Sequence, residues 1–274
     1  MSTPADARGV LEGILEHKRQ EIAQLKRGPR PAPGPPPRPL GLRRAPGEPL
    51  RLICEIKQRS PSAGALDQTL SVVQRAQRYA AHGADMLSVL TDAQFFGGSF
   101  EHISQIRKEA LATPILCKDF VLDPVQLDWA RASGADAVLL IVRCVGAQLS
   151  QLLDATRQRG LQALVEVTSE AEAAQALSAG ATLIGVNARD LDTLKVDVAR
   201  AARVLGSLPP QVVCAHLSGL KRGADVAQVA AGRADAALIG ETLMRLADPG
   251  PLLAELRAAA GAAQPSAVAR ATPR

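Results

Sequence analysis

The 274-residue sequence predicts an α/β protein, a closed (βα)8 barrel of the TIM type with an N-terminal helical extension. Three observations carry that expectation. Eight apolar runs of strand length alternate with helix-like segments. A weak repeat, a small-residue turn followed by a strand, recurs as HGADMLSVL, SGADAVLLI, AGATLIGVN and GRADAALIG. Polar residues, finally, gather at the C-terminal ends of the runs, where the active sites of this fold sit. An open doubly wound sheet fits less well, since no GxGxxG follows the first run.

The elements follow in order. Residues 8–27 read as an amphipathic helix, with Leu11, Ile14, Leu15, Ile22 and Leu25 at helical spacing. Residues 27–49, RGPRPAPGPPPRPLGLRRAPGEP, hold too many prolines and glycines for helix or sheet, so a partly extended linker is expected. Together, residues 1–50 form an N-terminal extension to the barrel. The catalytic barrel occupies 51–261. Its strands are RLICEIK (51–57), MLSVLTD (86–92), PILCKDF (114–120), AVLLIVR (137–143), QALVEV (162–167), TLIGVN (182–187), VVCAHL (212–217) and AALIG (236–240). Gly83, Gly134 and Gly180 lie about fifty residues apart, near the length of two βα units, and each is placed to end the preceding helix in a left-handed cap. The tail 262–274 reads as disordered.

Composition narrows the function. Hydrophobic residues make up 47% and charged residues 22%, enough for a full core. No apolar run is long enough for a membrane span, and the start lacks the pattern of a signal peptide. Cys54, Cys117, Cys144 and Cys214 stand singly in or beside apolar runs, which reads as buried thiols in a reducing cytoplasm; no His/Cys cluster has metal-ligand spacing. The net charge of +5 suits an anionic small substrate better than nucleic acid, because aromatics are only 2% and base-stacking platforms are lacking.

The strand ends carry the chemistry. Glu55 and Lys57 end the first run, Lys118 the third, Glu166 the fifth and Asn187 the sixth, while Ser218 follows the seventh. In a barrel these ends ring one shared mouth, and because strand period is two, Glu55 and Lys57 share a face, expected to be the inward one. The chain has seven lysines beside twenty-five arginines, counted along the sequence, yet two of the seven interrupt strands. A lysine where this composition otherwise uses arginine suggests a task in which the proton can leave. After the last two strands, LSGLKRG and IGETLMR put Gly219 and Gly240 where strand passes into helix, the usual phosphate position of such barrels, with Glu241 next in line. Ser60-Pro61-Ser62 reads as a turn, and FFGGSF, Phe95 to Phe100, as an aromatic cluster able to flank an aromatic substrate. His216 reads as a structural histidine.

These residues, in this order, resemble indole-3-glycerol phosphate synthase. The resemblance spans about residues 51–255 and rests on EIKQRSPSAG, SVLTDAQFFGGSF, ILCKDFVLDPVQL, GADAVLLI, LVEV, IGVNARDL, SGL and LIGETLM. It implies conversion of 1-(2-carboxyphenylamino)-1-deoxyribulose 5-phosphate to indole-3-glycerol phosphate, with loss of carbon dioxide and water and no cofactor or metal. It implies that the extension, residues 1–50, packs on the barrel mouth, and that Lys118 is the acid for ring closure. Lys57, Glu166 and Glu55 remain alternatives for the proton transfers of dehydration. Asn187 and Glu166 would orient hydroxyls. Ser60, Phe95, Phe120 and Arg189 would lie near the carboxyphenyl group. Ser218, Gly219, Gly240 and Glu241 would hold phosphate. The expectation is a cytoplasmic monomer, with neighbouring pathway enzymes as the partners to consider. Three positions depart from the family pattern: Leu217 stands where ESG has its carboxylate, Ala188 for the second Asn of NNRDL, and Cys117 where an arginine is common. Leu217 and Ala188 motivate an alternative, a catalytically weakened relative binding a phosphorylated ligand in a regulatory role. A phosphoribosylanthranilate isomerase would need a Cys/Asp acid–base pair that is not evident.

Overall fold

The computed structural model describes residues 9–262 apart from 62, 110, 191 and 192. Ser62 of the first turn and residues 263–274 of the expected tail therefore lie outside the described residues. Eight parallel strands close into a barrel in sequence order. They are β1 (Arg51–Ile56), β2 (Met86–Leu90), β3 (Ile115–Lys118), β4 (Ala137–Ile141), β5 (Gln162–Val167), β6 (Leu183–Asn187), β7 (Val213–Leu217) and β8 (Ala236–Ile239). Closure is set by β1, which pairs on one edge with β8 (Arg51 opposite Ala236) and on the other with β2 (Ile53 opposite Met86). Helix α1 (Val10–Arg27) precedes the barrel. Around it run α2 (Val72–Ala81), α3 (Phe100–Lys108), α4 (Pro124–Ser133), α5 (Leu149–Gln158), α6 (Glu170–Ser178), α7 (Val198–Ser207), α8 (Gly223–Ala230) and α9 (Gly250–Ala262). Helix α9 includes Ala262, so the chain is still helical at the residue where the tail was expected to begin.

Strand alternation sorts the apolar side chains into two layers. Ile53, Met86, Leu116, Leu139, Leu164, Leu183, Ala215 and Leu238 fill the inside of the barrel. Leu52, Cys54, Leu87, Ile115, Val138, Val165, Ile184 and Ala237 pack outward under the helices. The cysteines are free thiols. The glycines of the repeat do end helices in the left-handed region, at φ of 84° for Gly83, 93° for Gly134 and 83° for Gly180.

The aspartates of the repeat have a role that the turn reading did not contain. Asp85, Asp136 and Asp235 each sit just before an even strand and accept the backbone N–H of the strand before it: Leu52 at 2.8 Å, Ile115 at 2.7 Å and Cys214 at 2.9 Å. Each carboxylate also meets an arginine, Arg257, Arg107 and Arg233 in turn. The fourth copy, AGATLIGVN, has Thr182 at this place.

The extension divides between the two ends of the barrel. Helix α1 lies at the mouth, where Leu11 and Ile14 join the inner layer. The Pro-rich stretch, expected at the mouth as well, instead runs down α4 to the opposite end. Gly34 N–H donates to the Arg131 carbonyl at 3.2 Å, an approach so close that a Cβ there would meet that oxygen at 2.7 Å. Arg38 N–H then reaches Asp136 at 2.7 Å, and Arg44 N–H reaches Asp235 at 3.2 Å. Between them Leu40 and Leu42 are buried against the inner layer and close the barrel floor. Prolines suit this path because a strap that makes few ladder bonds loses little by lacking N–H groups.

Candidate active site

The ends of β1, β3, β5 and β6 bring Glu55, Lys57, Lys118, Glu166 and Asn187 into one cavity of about 540 Å³. Each lies in phase with the inward apolar residues of its strand, so the pattern that fills the barrel below supplies charge at its rim. Lys57 Nζ lies 2.6 Å from Glu55 Oε1. Burial alone would raise the Glu55 pKa, but Lys57 beside it, with Lys118 and Arg189 further off, holds that carboxyl below the usual carboxylate range. Asn187 Nδ2 donates to Glu166 Oε1 at 2.8 Å, and Asn187 Oδ1 accepts the Arg189 N–H at 3.0 Å. That leaves Glu166 Oε2 buried, without a hydrogen bond among the described residues, and 3.9 Å from Lys118 Nζ. An unsatisfied buried carboxylate oxygen opposite an ammonium is a costly arrangement unless a third party completes it.

The walls are apolar. Phe96, Phe120, Ile141 and Leu238 come from the barrel, and Leu11 and Ile14 come down from α1. Ser60 and Arg189 also line the cavity. The Arg189 guanidinium bonds the Leu194 carbonyl at 3.1 Å and lies 3.9 Å from Glu241. Ser218, Gly219, Gly240 and Glu241 complete the lining. Ser218 and Gly219 have φ of 69° and 86°. A Cβ on Gly240 would collide with the Glu55 carboxylate, so only glycine lets the backbone come so close. Arg245 hydrogen-bonds Glu241 and holds its pKa low.

Among the expected site residues, Phe95 is the one that does not line the cavity. It packs edge-on against His17 of α1, at 6.0 Å between ring centroids, and its neighbour Phe96 takes the place at the wall. The FFGGSF cluster as a whole is split. Phe96 faces Phe120 at 6.1 Å, whereas Phe100 stacks on Trp129 at 6.3 Å in the outer shell. Its two glycines are structural: Gly97 takes a left-handed cap, and a Cβ on Gly98 would run into the Leu90 backbone. The departures from the family pattern are also placed. Ala188 is fully buried, and Leu217 covers Gly185 on the inner face of the barrel.

Sequence reasoning missed the contact that docks α1. Lys18, 1% exposed, lies 2.9 Å from Asp92 and 2.8 Å from Asp119, both buried at the ends of β2 and β3. Glu21 also pairs with it. Asp119, next to Lys118, further accepts the Thr91 hydroxyl at 2.6 Å and the Phe120 N–H at 2.7 Å. The signal was one lysine near the apolar stripe of α1, in a chain that uses few.

Comparison with known proteins adds to the geometry. The model of a family described as indole-3-glycerol phosphate synthase matches residues 11–256. An indole-3-glycerol phosphate synthase of Opitutus terrae is 44% identical over 259 residues, 89% of this chain and 97% of that protein. One from Chlorobium chlorochromatii is 44% identical over 243 residues, covering 85% and 94%. One from Mycobacteroides abscessus is 41% identical over 254 residues, covering 90% and 93%. Among solved structures, a 3-hexulose-6-phosphate synthase superposes with a TM-score of 0.64 at 18% identity, over 77% of this chain and 99% of its own. At that identity the likeness speaks for the barrel fold alone.

Proposed function

The chain belongs to the indole-3-glycerol phosphate synthase family, and on that premise we propose how its residues divide the reaction. The enzyme converts 1-(2-carboxyphenylamino)-1-deoxyribulose 5-phosphate to indole-3-glycerol phosphate in tryptophan biosynthesis, as a decarboxylating lyase. The ring carbon that bears the carboxylate attacks the ribulose carbonyl, the carboxylate leaves as carbon dioxide, and a hydroxyl then leaves as water. Lys118 is the acid that polarises and protonates the carbonyl oxygen. The observation that carries this assignment is the open pair of Lys118 and Glu166: the ammonium, 3.9 Å from the carboxylate, is free to donate to the carbonyl oxygen, while the Glu166 oxygen that has no hydrogen bond among the described residues accepts a substrate hydroxyl. Glu166 and Asn187 orient the substrate hydroxyls. Lys57, braced by the ionised Glu55, delivers the dehydration proton or anchors phosphate. The phosphate sits on the backbone at Ser218, Gly219, Gly240 and Glu241, and the carboxyphenyl ring lies against Phe96 and Phe120, near Ser60 and Arg189. An ammonium in reach of the carbonyl does the work of a Lewis acid, so the reading calls for no metal or cofactor. The free thiols support a cytoplasmic enzyme, since they stay reduced there.

The experiment follows indole fluorescence with the carboxyphenylamino substrate. Lys118→Ala is expected to lose ring closure by a factor of about 100 or more, the usual range for a positioned general acid. Near-normal turnover in a folded variant refutes the role. No observation favours the regulatory alternative: Leu217 and Ala188 are packed, and the five charged and amide side chains remain together.

A further inference from the structure

Ser218 is held in a conformation that its side chain disfavours. Its φ of 69° lies in the left-handed region, and Gly219 follows at 86°. A residue with a Cβ stays there only where its surroundings fix it. His216 supplies the fixing contact, since its Nε2 lies 3.0 Å from the Ser218 carbonyl oxygen. Ala215 and Leu217, on either side of it in β7, both belong to the inner layer. His216 therefore stands on the outer face of the strand, and it is 1% exposed there.

We propose that His216 is a positioning residue for the phosphate site: donating from Nε2 to the Ser218 carbonyl, it aims the Gly219 N–H into the cavity. A trans peptide points its C=O and N–H in opposite directions. A carbonyl drawn outward by His216 therefore leaves the next N–H facing inward, where Ser218 and Gly219 line the cavity. Burial holds the His216 pKa below its ordinary value, against the smaller opposing effect of the Ser218 carbonyl, so the ring is neutral and carries its single proton on the nitrogen that makes this bond. Leu217, at the position where the sequence pattern leads one to expect a carboxylate, faces the barrel interior and has no polar atom to offer. The turn is held from position 216 instead.

The inference rests on the reading of this turn as the phosphate site, and the test separates the two. In nitrogen-15-labelled full-length protein, inorganic phosphate is expected to shift the Gly219 amide resonance and to compete with substrate. Competition without any shift at Gly219 would refute the site itself, and the role of His216 with it. In His216→Leu, the inhibition constant for inorganic phosphate and the KM are expected to rise about tenfold, with kcat within about threefold, as for one lost hydrogen bond in a binding contact. His216→Gln, which keeps an N–H at similar reach, is expected to stay within about threefold of wild type. A shift at Gly219 with unchanged phosphate inhibition in His216→Leu overturns the role of His216 alone. So does equal damage in both variants, which would mean packing, or a loss confined to kcat. Should the leucine variant not fold, the wild-type ring decides: a proton on Nε2 is expected, and one on Nδ1 overturns the proposal.

Discussion

Lys18 shows how much one buried charge can organise. Removing it would leave Asp92 and Asp119 facing one another without a cation, and breaking a buried charge cluster in this way costs about 3–5 kcal/mol. Lys18→Met is therefore expected to lower the free energy of unfolding by that amount in chemical denaturation, or to free α1 so that a protease cuts beyond Arg27; a variant as stable and as resistant as wild type refutes this role of Lys18. Burial works against the ammonium, but Asp119, Asp92 and Glu21 outweigh it and hold its pKa above the ordinary lysine value. A raised folded-state pKa means that the contribution is complete below the unfolded value of about 10.5 and is lost as pH rises through the folded one. From neutral pH upward, the stability gap between wild type and Lys18→Met should thus be flat to about pH 10.5 and narrow above it. Residues of this kind were the least legible in the sequence. Glu55, Lys57 and Lys118 stood out because they interrupt apolar strands, whereas Lys18 is a single cation on the apolar stripe of a helix, between Ile14 and Ile22, where a long side chain can ordinarily reach water. Only the fold shows that its side of the helix is covered.

At the scale of elements, the repeat was visible as a turn and a strand, and its glycines behave as helix-ending residues should. Its aspartates were in plain view in HGAD, SGAD and GRAD, but a carboxylate beside a turn has many possible partners. The acceptor role emerges only when the preceding strand is laid alongside. Asp136 and Asp235 carry the same load, a strand N–H, an N–H of the strap and an arginine: Ile115, Arg38 and Arg107 for the first, Cys214, Arg44 and Arg233 for the second. Asp136→Ala strips two backbone donors and a buried guanidinium of their acceptor. A loss of about 3 kcal/mol or more in chemical denaturation is expected, with KM little changed because the clamp lies at the end away from the cavity. A loss under about 1 kcal/mol would show that Arg107 and the strap find other partners. The aromatic stretch teaches the opposite lesson. Three phenylalanines close in sequence suggested one wall, but neighbouring positions on the helical turn Ala93–Phe96 point Phe95 and Phe96 to different sides, and the left-handed Gly97 that ends this turn lets the chain carry Phe100 to a third surrounding.

For the whole molecule, the barrel and its mouth followed from the order of strands, because eight parallel strands with charged ends admit few other arrangements. The path of the Pro-rich strap did not, since proline composition excludes helix and ladder without choosing a destination. Leu40 and Leu42, two apolar residues flanking a glycine, were the overlooked hint of a floor. Leu40→Ala or Leu42→Ala is expected to cost about 2–4 kcal/mol each while leaving kcat within about twofold, because the floor lies opposite the chemistry; a variant that loses turnover but not stability would contradict this placement. The strap also has a consequence for the order of events during synthesis. Arg44 leaves the ribosome 191 residues before Asp235, its partner on β8. At roughly 5–20 residues per second that is a wait on the order of ten to forty seconds. Throughout it, the leucines of the floor and the apolar face of α1 have no finished barrel to cover. The strap, made before every strand of the barrel, is thus among the last parts to be housed.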